Sequence, residues 1–203
     1  MNIVDRVKNI LLNPRTEWLA IEAEQPNAAM IMRGYVIPLA IVIAIAAFVG
    51  FGFVGIPVMG VRFASIEAGL FNGVLHLLVS VLGVYISANV VDALAPSFDS
   101  EKHLGRSLQL VAYGCTPLLV ARVFSVIPAI AGLISLAGLC YTAYVWYIGL
   151  SPIKRTPDDK KVVYLAVIFL VMVVIFLLTG IIVSIILRPF FGLAYGGFGY
   201  YGL

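Results

Sequence analysis

Charge is the scarcest property of this sequence: Asp, Glu, Lys and Arg together make up 11% of 203 residues, against 62% hydrophobic residues. A soluble domain carries about 25% charged residues, so water is excluded as the solvent for most of the chain. Histidine and cysteine are almost as rare, with two of each. His76 and His103 fall in different segments, and Cys115 and Cys140 both fall within long apolar runs, where they read as small packing residues. No cluster of His, Cys and carboxylates has ligand spacing, so neither a metal nor another cofactor is expected. An HExxH pattern, paired intramembrane aspartates, a phosphate-binding glycine loop with its lysine, and a serine beside a midplane base are all missing. The chain is therefore not expected to be an enzyme. Its net charge of +3 is too small and too dispersed for a nucleic-acid surface. A cleavable signal peptide is not expected either, because the apolar run Ile10–Leu12 is short and Asn13, Pro14 and Arg15 follow it.

What is abundant is aliphatic sequence, with a mean hydropathy of +1.07. About 20 apolar residues at 1.5 Å each cross the roughly 30 Å hydrocarbon layer. Five stretches qualify, at about 35–58, 68–94, 108–126, 127–150 and 162–187. The expected fold is an all-α, polytopic membrane helix bundle of five transmembrane helices with an N-terminal interfacial amphipathic helix. Residues 1–33 read as cytoplasmic interfacial helices, 34–187 as the five-helix domain and 188–203 as a glycine and aromatic tail. In the first segment Ile3, Val4, Val7, Ile10 and Leu11 share one helical face, and Asp5, Arg6, Lys8 and Asn9 share the other. Such a helix lies on a membrane surface, with Trp18 as a headgroup-level anchor.

Small residues mark helix crossings: Ala40, Ala44, Ala47, Gly50, Gly52 and Gly55 in the first span, and Ala131, Ser135 and Gly138 in the fourth. The second span, with Asn72, His76, Ser80, Ser87, Asn89 and Asp92, is the most polar and is expected to be buried in the bundle. Pro96 ends it, and Pro117 kinks the third by removing a backbone donor. The rings of Tyr141, Tyr144, Trp146 and Tyr147 suit a membrane–water boundary.

Lysine and arginine gather on cytoplasmic loops. In the five-span arrangement Arg6, Lys8, Arg15, Arg33, Lys102, Arg106, Lys154, Arg155, Lys160 and Lys161 lie on one side, and Arg62, Arg122 and Arg188 on the other. This bias puts the N-terminus in the cytoplasm and the C-terminus outside. The short connection between the third and fourth spans, residues 122–128, is where a re-entrant arrangement would arise.

An ionisable residue at membrane depth is a functional candidate because its charge is costly there. Asp92, at the cytoplasmic end of the second span, reads as a solvated helix end or a partner of Lys102 or Arg106. Arg122, near the opposite face, reads as a snorkelling side chain or a partner of Glu67. His76, in the outer third of the second span, reads as a hydrogen-bonding residue between helices, with a proton relay as the sharper alternative.

Several short stretches carry a resemblance: Arg6 to Leu11 followed by Asn13-Pro14 and Glu17-Trp18; Asp92-Ala93-Leu94-Ala95-Pro96 with Phe98; Ala112-Tyr113 with Thr116-Pro117; and the aromatic end of the fourth span running into Gly149-Leu150. Together they resemble the bacterial branch of the Yip1 family. That resemblance implies a five-helix membrane domain with a cytoplasmic N-terminus. Eukaryotic relatives are associated with Rab GTPases through a larger cytoplasmic region, whereas only about 33 residues precede the first span here. Asp92, Pro96, Tyr113, Thr116 and Pro117 fall on the family-like stretches, with helix ending, kinking and packing as their expected roles. The expected function is that of a multi-pass inner-membrane protein acting through the lipid bilayer, a membrane-protein partner or a homo-oligomer. The alternative is a small-solute or ion transporter lined by the second and third spans, in which a dimer would supply the symmetry that five spans lack.

Overall fold

The computed structural model of the chain describes residues 2–58 and 61–191. Two short helices come first, α1 (Ile3–Leu12) and α2 (Pro14–Ala23). The Asn2 side chain caps α1 by accepting from the Val4 backbone N–H at 3.2 Å. Pro14, lacking a donor of its own, suits the first position of α2. The first span, Ala28–Val54, consists of α3 (Ala28–Ile31) and α4 (Ile37–Val49), each continued by a π turn, Met32–Val36 and Gly50–Val54. The second, Ile66–Phe98, is α5 (Ile66–Leu94) with a 3-10 turn containing Pro96. The third, Leu104–Val126, is split into α6 (Leu104–Gly114) and α7 (Thr116–Val123). The fourth and fifth are α8 (Pro128–Lys154) and α9 (Asp158–Leu187).

Among the described residues, five helices are long and apolar enough to cross a membrane, as the sequence pattern requires. An addition to the helical plan is an antiparallel ribbon, β1 (Ile56–Val58) and β2 (Val61–Phe63), with Ile56 opposite Phe63 and Pro57 opposite Arg62. It takes the place of the last turn expected in the first span. Gly55 adopts a φ of 75°, a region that glycine enters without steric cost, and this turns the chain out of the helix. The N-terminal helices pack against α6 and the second half of α8, so they share one end of the bundle, the proximal end, with loops 99–103 and 155–157. The β ribbon marks the opposite, distal end.

The first two spans cross in backbone contact. A Cβ on Gly69 would come within 2.8 Å of the Gly52 Cα, so only glycine permits this approach. Ala40 and Ala47 are fully buried along the same helix. The third span, however, and not the polar second, is the enclosed one, with 72% of its apolar window buried against 39%. The reason is local. Asn72 donates to the Ala68 carbonyl at 2.9 Å and Asn89 to the Tyr85 carbonyl at 2.8 Å, so part of the polarity of α5 is satisfied by its own helix and does not demand neighbours. The break expected at Pro117 is present: Cys115 leaves helical geometry at ψ −2°, and Pro117 sits in the first turn of α7. Beside it, Gly114 leaves room for the indole of Trp146, which is completely buried. The aromatic run of α8 thus divides, with Tyr144 and Tyr147 exposed and Trp146 in the core.

Candidate functional site

The proximal end contains two polar networks. The first is centred on Arg6, whose place on the polar face of α1 would leave it in water. The structure buries it instead, 5% exposed. Its Nη1 donates to Glu17 Oε1 at 2.6 Å, its Nη2 pairs with Glu24, and its guanidinium lies 5.0 Å from the centre of the Tyr113 ring. Asn9 donates to the other Glu17 oxygen at 3.0 Å. Tyr113 packs edge-on to Tyr35, whose hydroxyl lies 2.6 Å from Thr116 Oγ1. Thr116 also donates to the Tyr113 carbonyl at 2.5 Å, occupying a group freed by the helix break. Tyr113 and Thr116 therefore join the N-terminal hairpin to the start of the first span and to the kink in the third.

Trp18 completes the attachment. It is not a headgroup anchor: it is 1% exposed, donates from Nε1 to the Val145 carbonyl at 3.0 Å and packs against Gly149, where a Cβ would come within 2.6 Å of the indole. Tyr141 donates to the Leu11 carbonyl at 2.8 Å, so α1 is tied to α8 as well. Satisfied indole and phenol groups favour this docked position over a headgroup layer.

The second network joins Asp92, Ser107 and Lys154. Asp92 meets neither Lys102 nor Arg106 in an ion pair. Lys154 Nζ lies 3.4 Å from Asp92 Oδ1 and donates to Ser107 Oγ at 2.6 Å, and Ser107 donates to Asp92 at 2.9 Å. Arg106 turns instead to Gln109 Oε1 at 3.1 Å. A serine beside a lysine is a nucleophile–base pairing in some hydrolases. Here the ammonium is the donor, the serine proton points to a carboxylate, and both Ser107 and Lys154 are completely buried. The arrangement holds three elements together. Nearby, Ser100 and Thr156 hydroxyls lie 2.9 Å apart, the Glu101 N–H donates to the Lys154 carbonyl at 2.8 Å, and Lys160 pairs with Asp99, so both proximal loops form one surface.

The distal half holds the remaining candidates in a different setting. A groove of about 570 Å³ between α5, α7 and α9 is lined by Leu75, His76, Val79, Arg122, Phe176, Leu177, Gly180, Ile181, Ser184, Ile185 and Arg188. Arg122 makes no ion pair with Glu67. Its guanidinium lies 5.0 Å from the centre of the Phe176 ring. The expected interhelical hydrogen bond of His76 is not formed among the described residues. His76 and Arg122 are thus brought together, Asp92 is placed far from both, and Pro96 ends its helix in the proximal turn.

Lys154 was hidden in the sequence because its partners Asp92 and Ser107 are 62 and 47 positions away, and Arg6 and Glu17 because helical periodicity does not say which face meets the bundle. One signal was readable: an arginine and a glutamate on helices joined by a single residue before Pro14. The glycine and aromatic tail lies outside the described residues from 192 onward. No group of three or more His, Cys, Asp or Glu residues able to hold a metal occurs among the described residues.

Five apolar helices, four of them around a kinked third span, with their polar clusters at the proximal end and in a lateral groove, define a multi-pass membrane protein. A model of the Yip1 domain matches residues 8–199, nearly the whole chain, and the chain belongs to the Yip1 family. No curated protein and no solved structure gives a significant match.

Proposed function

We propose that this Yip1-family protein is a non-enzymatic inner-membrane protein that works by contacting other membrane proteins through its proximal face, with that face in the cytoplasm and the C-terminus outside. The observation that carries this reading is the locked N-terminal hairpin. Arg6, Trp18 and Tyr141 fasten α1 and α2 to the third and fourth spans. The result is a rigid platform from which Lys8, Arg15, Lys102 and Arg155 project into solvent. Fastening a surface before it meets a partner lowers the ordering entropy lost on binding. The lysine and arginine bias supports this orientation.

The alternative, a small-solute or ion transporter, has less support. His76 and Asp92 stand at positions 76 and 92 of one helix, about 24 Å apart at 1.5 Å per residue, and Asp92 is bound to Lys154 and Ser107.

The test is site-specific photo-crosslinking in cells, with the reactive residue at positions 8, 15, 102 and 155. Discrete protein adducts at these sites are expected, and Arg6→Ala should remove those from 8 and 15 by undocking the hairpin. A crosslink to a second copy would identify a homo-oligomer. Absence of adducts, together with substrate-dependent flux in liposomes abolished by Asp92→Asn or His76→Gln, would favour the transporter. Orientation is read separately from single cysteines at the exposed positions 64 and 124 against 102 and 155, using a membrane-impermeant reagent.

A further inference from the structure

The polar groups of the distal groove stand in file and not in a cluster. Phe176 closes one end: a Cβ on Gly83 of α5 would come within 2.8 Å of its ring, and the Arg122 guanidinium lies 5.0 Å from the ring centre. From Phe176 the groove face of α9 rises through Gly180 and Ser184 to Arg188, four residues at a step, so Arg188 stands about 18 Å further on. His76 is seven residues from Gly83 on the antiparallel α5, about 10 Å, and is therefore level with Ser184, about 12 Å from Phe176. Arg188 is exposed just past the end of α9 and marks the distal mouth. Between the two arginines the way is open, since a Cβ on Gly180 would meet nothing within 4 Å. No Asp or Glu lines the groove, and among the described residues neither arginine has a carboxylate within ion-pair distance. Segment 192–203 contains no acidic side chain that could supply one.

Two cations this far apart cannot grip one headgroup, but they can act on one small solute in succession. We infer that the groove is an aqueous vestibule, entered from the distal face past Arg188 and closed at Phe176, in which Arg122 binds a small carboxylate anion. A cleft lined by one sign of charge with low-dielectric walls concentrates the opposite ion, and Arg188 places that field at the mouth. At the closed end the planar donors of Arg122 meet the two oxygens of a carboxylate in parallel, a match that a spherical halide does not offer. Leu75, Val79 and Leu177 give a short aliphatic tail an apolar wall. Because the Phe176 ring abuts Gly83, the vestibule is blind and is not a route across the membrane. The inference concerns the distal half alone, so altering Arg122 leaves the proximal platform and its crosslinks intact, and the two readings fail separately.

The test uses the full-length chain with Cys115→Ala and Cys140→Ala in phosphatidylcholine nanodiscs, whose lipids carry no net charge. Single cysteines are placed at Gly180 and Ser184 in the groove and at Ile182 and Ile186, which are exposed on another face of α9. Their reaction with an anionic and a cationic methanethiosulfonate is timed, each rate being divided by that of a free thiol. Positions 180 and 184 are expected to react and 182 and 186 to stay inert in the lipid. The anionic reagent should be favoured at least about tenfold at 180 and 184, the lower end of what a charged cleft achieves. Arg188→Gln should slow it about threefold at 184, a mouth charge being partly screened by salt, and Arg122→Gln should remove most of the preference at 180. Butyrate exchanged for chloride at constant ionic strength should slow labelling at 180, and should no longer do so in Arg122→Gln. If Arg122→Gln fails to fold by circular dichroism and size exclusion, the reagent preference, Arg188→Gln and the exchange of butyrate for chloride carry the test. Inert cysteines at 180 and 184, equal rates for the two reagents, or labelling at 180 that butyrate leaves unchanged would each overturn the inference.

Discussion

The proximal and distal halves of this protein treat their cations in opposite ways. Arg6 has two carboxylates and an aromatic face, and Lys154 has a carboxylate and a hydroxyl, all supplied by the chain itself. Among the described residues Arg122 faces the Phe176 ring and an open groove and has no carboxylate within ion-pair distance. A buried charge whose partners are built in makes removal of any partner costly, because what remains is an uncompensated ion. A charge without such a partner leaves no buried carboxylate stranded when it is removed. The contrast separates side chains that hold the bundle together from side chains that the bundle presents.

The largest expected effect tests that contrast directly. Arg6→Ala should destabilise the chain by about 3–5 kcal/mol, since it leaves the Glu17 carboxylate at 4% exposure without its counter-charge, keeping Asn9 as a neutral donor. Unfolding in mixed detergent micelles measures it. Arg122→Met, measured the same way, should stay within about 1 kcal/mol, because no internal partner is stranded. Equal losses for the two would erase the distinction between the halves. Asp92→Asn comes next, at about 1–3 kcal/mol: Lys154 keeps Ser107 but loses its counter-charge, and faster hydrogen exchange at the α5, α6 and α8 ends should accompany the loss. Tyr35→Phe, which deletes the hydroxyl facing Thr116, should cost about 1 kcal/mol. The smallest effect belongs to Asp99→Asn. Its pair with Lys160 is largely exposed, with side chains 63% and 38% accessible, and should contribute less than about 1 kcal/mol and fade with salt.

Much of the fold was legible because a membrane imposes length and composition on each helix. All five spans, the break at Pro117 and the small residue Gly52 on the first-span side of the close crossing follow from local sequence, whereas its counterpart Gly69 on α5 was not singled out. The enclosure of the third span was not legible, since Asn72 and Asn89 give α5 the composition of a helix that needs neighbours, while both side chains bond to their own helix. Nor was the inward turn of Arg6. Periodicity assigns a side chain to a face of its helix, but which face meets the bundle depends on partners, and here Glu17, Glu24 and Tyr113 draw Arg6 inward alongside Ile10 while Val4 of the apolar stripe is left exposed. Asp92 and Lys154 are 62 positions apart, beyond any pattern in local sequence, so the proximal candidate residues were visible as types and invisible as a network.

The bond from Trp18 to Val145 also has a consequence in time. Its two ends are separated by 127 positions, and Tyr141 reaches Leu11 across 130. At roughly 5–20 residues per second, the ribosome needs on the order of ten seconds to make α8 after it has finished α2. Through that interval the first two helices wait without their receptor, held by the pairs of Arg6 with Glu17 and Glu24 that they carry within themselves. The oldest segment therefore finds its seat late, and completion of the fourth helix is the event that brings the newborn N-terminus home.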